Sequence, residues 1–367
     1  MLIFNKDWFI NMQNITFIPT TEPKQKPDVA KLGFGKHFTD HMFVMEYSPD
    51  KGWHDARIVP FANLSLHPAS TVFHYGAEIF EGLKAYKTPN GDIQLFRPTE
   101  NIARLNNSAD RICLPKLDPD FALEALKKFV EIEKEWVPSD FGTSLYLRPF
   151  LFGNDETLGV HTIQNAIYMV IACPVGSYYP EGINPVKIMI ETDDVRAVRG
   201  GTGYAKCGGN YAASNRAGEV AEKKGFSQVL WLDGVERKYI EEVGAMNVRF
   251  KIDGVVVTPK LTGSMLPGVT RKSCIQLLHD MGIPVEERLL SMDELLEALR
   301  DGKLEEAWGC GTAAVVSPIG QLSYAGENYI INNFEIGKTT QALYDTLTAI
   351  QWGRAEDPYG WTVKIRF

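Results

Sequence analysis

The feature that most constrains the fold is a break near the middle of the chain, Pro174-Val175-Gly176-Ser177-Tyr178-Tyr179-Pro180-Glu181-Gly182. Two prolines and two glycines within this span interrupt any regular element and mark a linker. With 367 residues, the chain reads as two domains, each long enough for a large core. Upstream of the break, residues 92–97 read as a strand. They enter a helix that starts near Thr99 and turns Ile102, Leu105 and Ala109 to one face. A second amphipathic helix follows Pro119, with Phe121, Leu126, Phe129 and Val130 inward, and residues 143–150 and 166–171 read as buried strands.

Downstream, residues 186–190 and 229–232 read as strands, 210–224 as a helix ending at Gly225, and 248–257 as a hairpin turning at Asp253-Gly254. Pro267-Gly268-Val269-Thr270 opens a helix through Leu278, and Ser291-Met292-Asp293-Glu294 is a capping box for 295–299. Strands and helices mix without a strict βαβ rhythm, which predicts an α+β fold rather than a doubly wound one. The stretch Pro23 to Pro27 reads as a mobile lead-in.

Composition narrows the function classes. The chain is 44% hydrophobic and 23% charged, as globular proteins are. A formal charge of -8 argues against nucleic acid as the main partner, and no apolar run is long enough to span a membrane as a helix. The N-terminus lacks the layout of a secretory signal, and Met12 precedes a more usual polar lead-in, so the first eleven residues read as a product of start-site choice. Cys113, Cys173, Cys207, Cys274 and Cys310 are odd in number, scattered, and form no Cys-x-x-Cys, which suits reduced thiols in the cytoplasm. His37 and His41 are four apart without the acidic neighbour of a zinc-protease helix; they read as ordinary polar residues, and no metal site is expected.

Chemistry concentrates in one loop, Gly200-Gly201-Thr202-Gly203-Tyr204-Ala205-Lys206-Cys207-Gly208-Gly209-Asn210-Tyr211. A lone amine among residues with little side chain loses hydration in its charged form, so its pKa should fall. A partly neutral lysine is the nucleophile that a Schiff base with an aldehyde needs. A surface lysine on a flexible turn fits the loop equally well. A Walker phosphate loop does not fit, because Cys207 stands where Ser or Thr is required.

An aldehyde cofactor, pyridoxal phosphate above all, needs backbone N–H groups and a cation for its phosphate, a carboxylate for its ring nitrogen and a donor for its ring oxygen. Candidates are Gly268-Val269-Thr270 at a helix start, the small-residue loop Gly309-Cys310-Gly311-Thr312-Ala313-Ala314, Glu242, and Tyr211. Each also has an ordinary role: Gly-Val-Thr as a helix cap, Glu241-Glu242 as a solvated acidic turn, Tyr211 as core.

Taken in order, Lys206-Cys207-Gly208-Gly209-Asn210-Tyr211, Glu242-Val243-Gly244-Ala245-Met246-Asn247, Leu266-Pro267-Gly268-Val269-Thr270-Arg271 and Gly311-Thr312-Ala313 resemble the motifs of branched-chain amino acid aminotransferases. The first half agrees through Phe34-Gly35, Thr39-Asp40-His41-Met42, Leu66-His67-Pro68-Ala69, His74-Tyr75-Gly76, Phe80-Glu81-Gly82, Leu95-Phe96-Arg97-Pro98 and Ser144-Leu145-Tyr146-Leu147-Arg148-Pro149. The resemblance runs from about Phe34 to near the C-terminus.

It implies a two-domain, fold type IV aminotransferase. A smaller N-terminal α/β domain (34–175) would follow a lead-in (1–33), and a loop (176–185) would join it to a larger C-terminal domain with a barrel-like core (186–367), the cofactor lying at the domain interface. It implies that Lys206 carries pyridoxal 5'-phosphate covalently and is the catalytic residue, that Glu242 pairs with the pyridine nitrogen and that Tyr211 hydrogen-bonds the ring oxygen. Arg104, otherwise a surface helical arginine, would grip the phosphate with Val269, Thr270 and Thr312. Phe34, Tyr75, Phe80, Tyr146 and Tyr178 would wall the substrate pocket, and the N–H groups of Thr312 and Ala313 would hold the substrate α-carboxylate. Arg148, otherwise a buried ion-pair residue in a strand, would meet the side-chain carboxylate of glutamate together with Tyr75. Tyr75 and Leu158-Gly159-Val160 would reach the partner's site in a homodimer.

The implied reaction is ping-pong transamination of L-leucine, L-isoleucine and L-valine with 2-oxoglutarate through a pyridoxamine form. Rivals within the same fold are a D-amino acid aminotransferase and an aminodeoxychorismate lyase; outside it, a non-catalytic phospholigand-binding protein. Ala314 and Ser317 stand where mammalian relatives carry a Cys-x-x-Cys, so that thiol switch is expected to be absent, and Ala245 replaces a hydroxyl residue near the pocket.

Overall fold

Apolar and β-branched residues in the first half of the chain assemble into an open sheet. Its strands are β1 (Thr16–Phe17), β2 (His41–Ser48), β3 (Gly52–Pro60), β4 (Glu78–Phe80), β5 (Leu83–Lys87), β6 (Ile93–Phe96), β7 (Ser144–Gly153) and β8 (Ala166–Val175). The structure, a computed structural model, describes residues 14–176 and 183–366. Two compact units divide the chain: Met1–Ser177 with Ala205–Gly208 and Asp357–Phe367, and Tyr178–Tyr204 with Gly209–Glu356.

In the first unit the strand order is β1-β3-β2-β8-β7-β5-β6, with β4 paired to β7. Beside the short α1 (Thr71–Tyr75), two longer helices carry its apolar cover, α2 (Pro98–Arg111) and α3 (Pro119–Ile132). Both begin with a proline, whose missing N–H costs nothing there, and the Asp118 side chain caps α3 by accepting from the Phe121 N–H at 2.8 Å. Ile102, Leu105 and Ala109 of α2 and Ala122, Leu126, Phe129 and Val130 of α3 are buried in one core with Phe43, Ile58 and Ile79. Each of the Leu, Ile, Val and Phe side chains among these contributes roughly 1.5–3 kcal/mol on burial.

The expected mobile lead-in is instead tied down. The Lys24 N–H donates to Asp40 Oδ1 at 2.8 Å, and its amine donates to the Thr39 carbonyl at 2.7 Å. His41 is not an ordinary polar residue: it is buried, its Nε2 accepts from the Thr20 N–H at 2.9 Å, and its Nδ1 lies 2.5 Å from Glu133 Oε1. An accepting Nε2 places the proton of the neutral ring on Nδ1, where it donates to the carboxylate.

The second unit contains β9 (Val186–Ile190), β10 (Gln228–Leu232), β11 (Ile240–Val243), β12 (Met246–Ile252), β13 (Val255–Pro259), β14 (Val285–Arg288), β15 (Leu304–Gly311), β16 (Val315–Tyr324) and β17 (Glu327–Ile330). The order β11-β10-β9-β16-β15-β12, with β12 pairing back to β11, closes a barrel. Closure satisfies the strand edges that an open sheet would expose. Ile188, Leu230, Val243, Val248, Phe250, Ile319 and Leu322 fill its core.

The helix expected over 210–224 is two pieces, α4 (Gly208–Ala212) and α5 (Asn215–Lys223). Ser214 Oγ donates to the Tyr211 carbonyl at 2.7 Å, a local bond that competes with helix continuation. α6 (Val269–Asp280), α7 (Met292–Arg300) and α8 (Lys338–Gln351) follow, and Ser291 caps α7 as its capping box predicts. The last strand, β18 (Thr362–Ile365), pairs antiparallel with β6, which returns the end of the chain to the first unit.

Candidate active site

Lys206 is held through its backbone before its amine does anything. Its N–H donates to Ser108 Oγ on α2 at 2.8 Å, and its carbonyl accepts from the Phe80 N–H of β4 at 2.9 Å. Two residues on, the Gly208 N–H donates to Glu78 Oε1, and a Cβ at Gly208 would run into that carboxylate. The Lys206 side chain keeps some open surface, but its amine lies among protein atoms, 4.8 Å from the centre of the Phe80 ring. Burial first, and then the positive charge of Arg104, bring its pKa down to about 8, against the opposing pull of Glu81 and Tyr146. The surface-lysine alternative therefore fails for this loop.

Arg104 is buried as well, on the inner face of α2, not on its surface. Its guanidinium meets Glu81 edge-on, Nε to Oε1 at 2.6 Å and Nη2 to Oε2 at 2.9 Å. Arg148 of β7 is half-buried against aromatic rings, 4.7 Å from Phe80 and 5.4 Å from Tyr146, and donates from Nη2 to the Tyr146 hydroxyl at 3.1 Å. Among the described residues no carboxylate lies within ion-pair distance of it, although the Glu78 carboxyl is near enough to feel its charge, and its buried Nε has no hydrogen-bond acceptor. That is not the buried ion pair allowed for in the sequence; it is a cation lined by apolar walls with unused donor capacity. Phe34 closes on Tyr146 edge-to-face at 4.9 Å, and Gly82 makes room for the Tyr146 hydroxyl where any Cβ would collide.

Phe34, Phe80, Tyr146, Arg148, Arg104 and Lys206 thus belong to one neighbourhood of the first unit. Tyr75 ends α1, 45% exposed, with its hydroxyl accepting from the Gly159 N–H at 2.9 Å. Leu158 and Val160 beside it are 69% and 87% exposed. Tyr178 lies outside the described residues.

In the second unit, Glu242 is buried in β11, and so is Glu241, so the solvated-turn alternative fails. A two-residue turn at Gly244-Ala245 sets Glu242 directly opposite Asn247 on β12. Asn247 Nδ2 donates to Glu242 Oε1 at 2.9 Å and to the Leu266 carbonyl at 3.0 Å. Arg196 completes the set: its Nε lies 2.8 Å from Glu242 Oε2, an ion pair rather than an aligned hydrogen bond. Asn247 Oδ1 also crowds Gly268, where a Cβ would strike it.

Gly268 is the N-cap of α6 and offers no side chain to the first N–H groups, those of Val269 and Thr270. A helix start left in this way attracts an anion. Thr312 and Ala313 form the half-buried turn between β15 and β16, and Tyr211 is half-buried on α4.

Three roles were missed in the sequence. Asn247 and Glu81 stand inside quoted motifs without an assigned part, and Arg196 was passed over. For Asn247 the signal was present: residues flanking a two-residue hairpin turn face each other across it. Arg196 is brought to Glu242 by tertiary folding alone, and no local pattern announces it.

The Amino-transferase class IV family model matches residues 78–322. Branched-chain-amino-acid aminotransferase 2 of Bacillus subtilis (strain 168) is 54% identical over 353 residues, covering 96% of this chain and 97% of its own. Among solved structures, the branched-chain amino acid aminotransferase of Escherichia coli superposes with a TM-score of 0.73 at 25% identity, over 89% of this chain and 99% of its own. The branched-chain aminotransferase of the archaeon Thermoproteus uzoniensis, solved with norvaline, gives 0.72 at 25% identity, over 89% and 100%. The chain belongs to the class IV aminotransferases, within the branched-chain-amino-acid aminotransferase family.

Proposed function

We propose that the chain transfers the amino group of L-leucine, L-isoleucine and L-valine to 2-oxoglutarate, with pyridoxal 5'-phosphate as its cofactor. The observation that carries this reading is Lys206, an amine enclosed by protein whose proton leaves at about 8, beside Phe80 and among the charges of Arg104 and Arg148. Bound, the cofactor supplies an aldehyde that receives the amino group and a ring that takes up negative charge from Cα. Lys206 would hold it covalently, and its amine, when free, would take the Cα proton and deliver it to the aldehyde carbon.

Glu242, held by Arg196 and Asn247, would face the pyridine nitrogen and keep a proton there. Arg104, the first N–H groups of α6 and Thr312 grip the phosphate. Tyr211 donates to the ring oxygen. Thr312 and Ala313 hold the substrate α-carboxylate. The aromatic rings of Phe34, Phe80 and Tyr146 receive a branched aliphatic side chain, and Arg148 pairs with the distal carboxylate of glutamate, a charge that otherwise has no place among such walls. Because both substrates use one pocket in turn, the kinetics are ping-pong.

Tyr75, Leu158 and Val160 form an exposed, largely apolar patch on the first unit, which supports a homodimer in which this loop meets a second copy. Among the described residues no helix is long and apolar enough to cross a membrane, which is compatible with work in the cytoplasm.

The test is turnover with L-leucine and 2-oxoglutarate by the wild type and by Lys206→Ala. The variant should bind pyridoxal phosphate weakly and not turn over; normal turnover by it, or a wild type that uses D-alanine and ignores L-leucine, would refute the assignment.

A further inference from the structure

Glu81 is a buried charged residue with no part in the chemistry proposed above. It lies between β4 and β5 with 1% of its surface exposed, and both its oxygens are engaged. Oε1 accepts from Arg104 Nε at 2.6 Å. Oε2 accepts from Arg104 Nη2 at 2.9 Å, from Asn101 Nδ2 at 2.8 Å and from the Gly82 N–H at 3.1 Å. Asn101, one helical turn before Arg104, also donates to the Gly82 carbonyl at 3.2 Å. Burial pushes the Glu81 carboxyl up, but Arg104, these hydrogen bonds and Lys206 outweigh it and hold it below the usual carboxylate range.

A carboxylate is not needed in this number of contacts merely to neutralise one arginine. The edge-on contact fixes the plane and direction of the guanidinium, and the further bonds from Asn101 and Gly82 fix the carboxylate itself. We propose that Glu81 is a positioning residue which aims Arg104 at the phosphate of the cofactor. This inference rests on the reading of Arg104 as a phosphate grip. The pair as a whole is neutral, so Glu81 supplies direction, not charge. A pair that only stapled α2 to the neighbouring turn would stabilise the first unit without caring whether a ligand carries phosphate.

That difference sets the experiment. Full-length wild type and Glu81→Gln are titrated with pyridoxal 5'-phosphate and with pyridoxal, which lacks the phosphate, and binding is read from the visible band. Glu81→Gln should lose about tenfold of the preference for the phosphorylated compound, the scale on which loss of an orienting partner is felt. Affinity for pyridoxal should change far less. In an Arg104→Met background, Glu81→Gln should cause no further loss of preference, because its effect runs through Arg104.

Equal weakening of both ligands, an unchanged preference, a preference increased by the removal of a negative charge, or a further loss in Arg104→Met each overturns the proposal. If Glu81→Gln does not fold, Asn101→Ala removes one bond to Oε2 and keeps the charge; it should lose preference by about threefold, and an unchanged preference would overturn the proposal equally. A wild type with no preference for the phosphorylated compound would instead remove the reading of Arg104 on which the inference stands.

Discussion

Enclosing the Lys206 amine has a consequence for stability that can be measured without cofactor or substrate. Its pKa falls from the ordinary 10.5 to about 8 in the folded chain, chiefly through burial. Below 8 the amine is protonated in both states, and the folded state bears the cost of desolvating it. Between 8 and 10.5 the unfolded chain holds a proton that the folded chain has released, so stability rises with pH. Above 10.5 both states are neutral and the cost is gone. The full difference corresponds to about 3 kcal/mol, falling to about 1 kcal/mol by pH 10. Lys206→Met removes the titrating group and keeps an unbranched apolar side chain. Cofactor-free Lys206→Met should therefore be more stable than the cofactor-free wild type at pH 7, and that advantage should shrink by about 2 kcal/mol on going to pH 10. Urea unfolding of both proteins at several pH values reads this directly. Packing changes in the variant add a constant that does not vary with pH, so the slope carries the result. A difference that stays flat from pH 7 to 10 would mean that the amine is not enclosed as described.

Three other outcomes follow from the same structure. Glu242→Gln should keep the fold and bind cofactor yet lose activity by at least about a hundredfold, because the charge opposite the ring nitrogen is gone; steady-state rates with L-leucine check it. Gly203→Ala places a Cβ 2.6 Å from the Ala197 Cβ and against the Ser264 carbonyl, so it should destabilise the second unit by about 1–3 kcal/mol, seen as a lower unfolding midpoint. Val160→Lys puts a charge on the exposed Tyr75 patch and should shift a homodimer toward monomer in sedimentation at unchanged fold; an unaltered assembly would place the interface elsewhere.

How much of this was legible beforehand depended on whether a feature was local. Helices α2, α3 and α7 were readable because apolar spacing, Pro at the first turn and the Ser291 cap all pointed the same way. The helix over 210–224 was read as continuous, whereas it breaks at Ala213-Ser214, where both the hydroxyl and the N–H of Ser214 turn to the Tyr211 carbonyl. Barrel closure through β11 and β12, and the pairing of β18 with β6, join residues remote in sequence and leave no periodic trace. In the site, the depressed pKa of Lys206 could be anticipated from its small neighbours. The burial of Arg104 and of Glu241-Glu242 could not, since charged residues are so rarely enclosed. Glu81 meets the Arg104 charge, and Arg196 and Asn247 meet that of Glu242, partners that folding brings from remote parts of the sequence.

The visible spectrum of the purified protein, before and after L-leucine, tests the central claim most directly. A yellow band from pyridoxal phosphate that bleaches with L-leucine and returns with 2-oxoglutarate is the predicted result, because it shows cofactor, handedness and both half-reactions in one cuvette. A protein that stays colourless after pyridoxal phosphate is added, or a band that ignores L-leucine, would contradict the account.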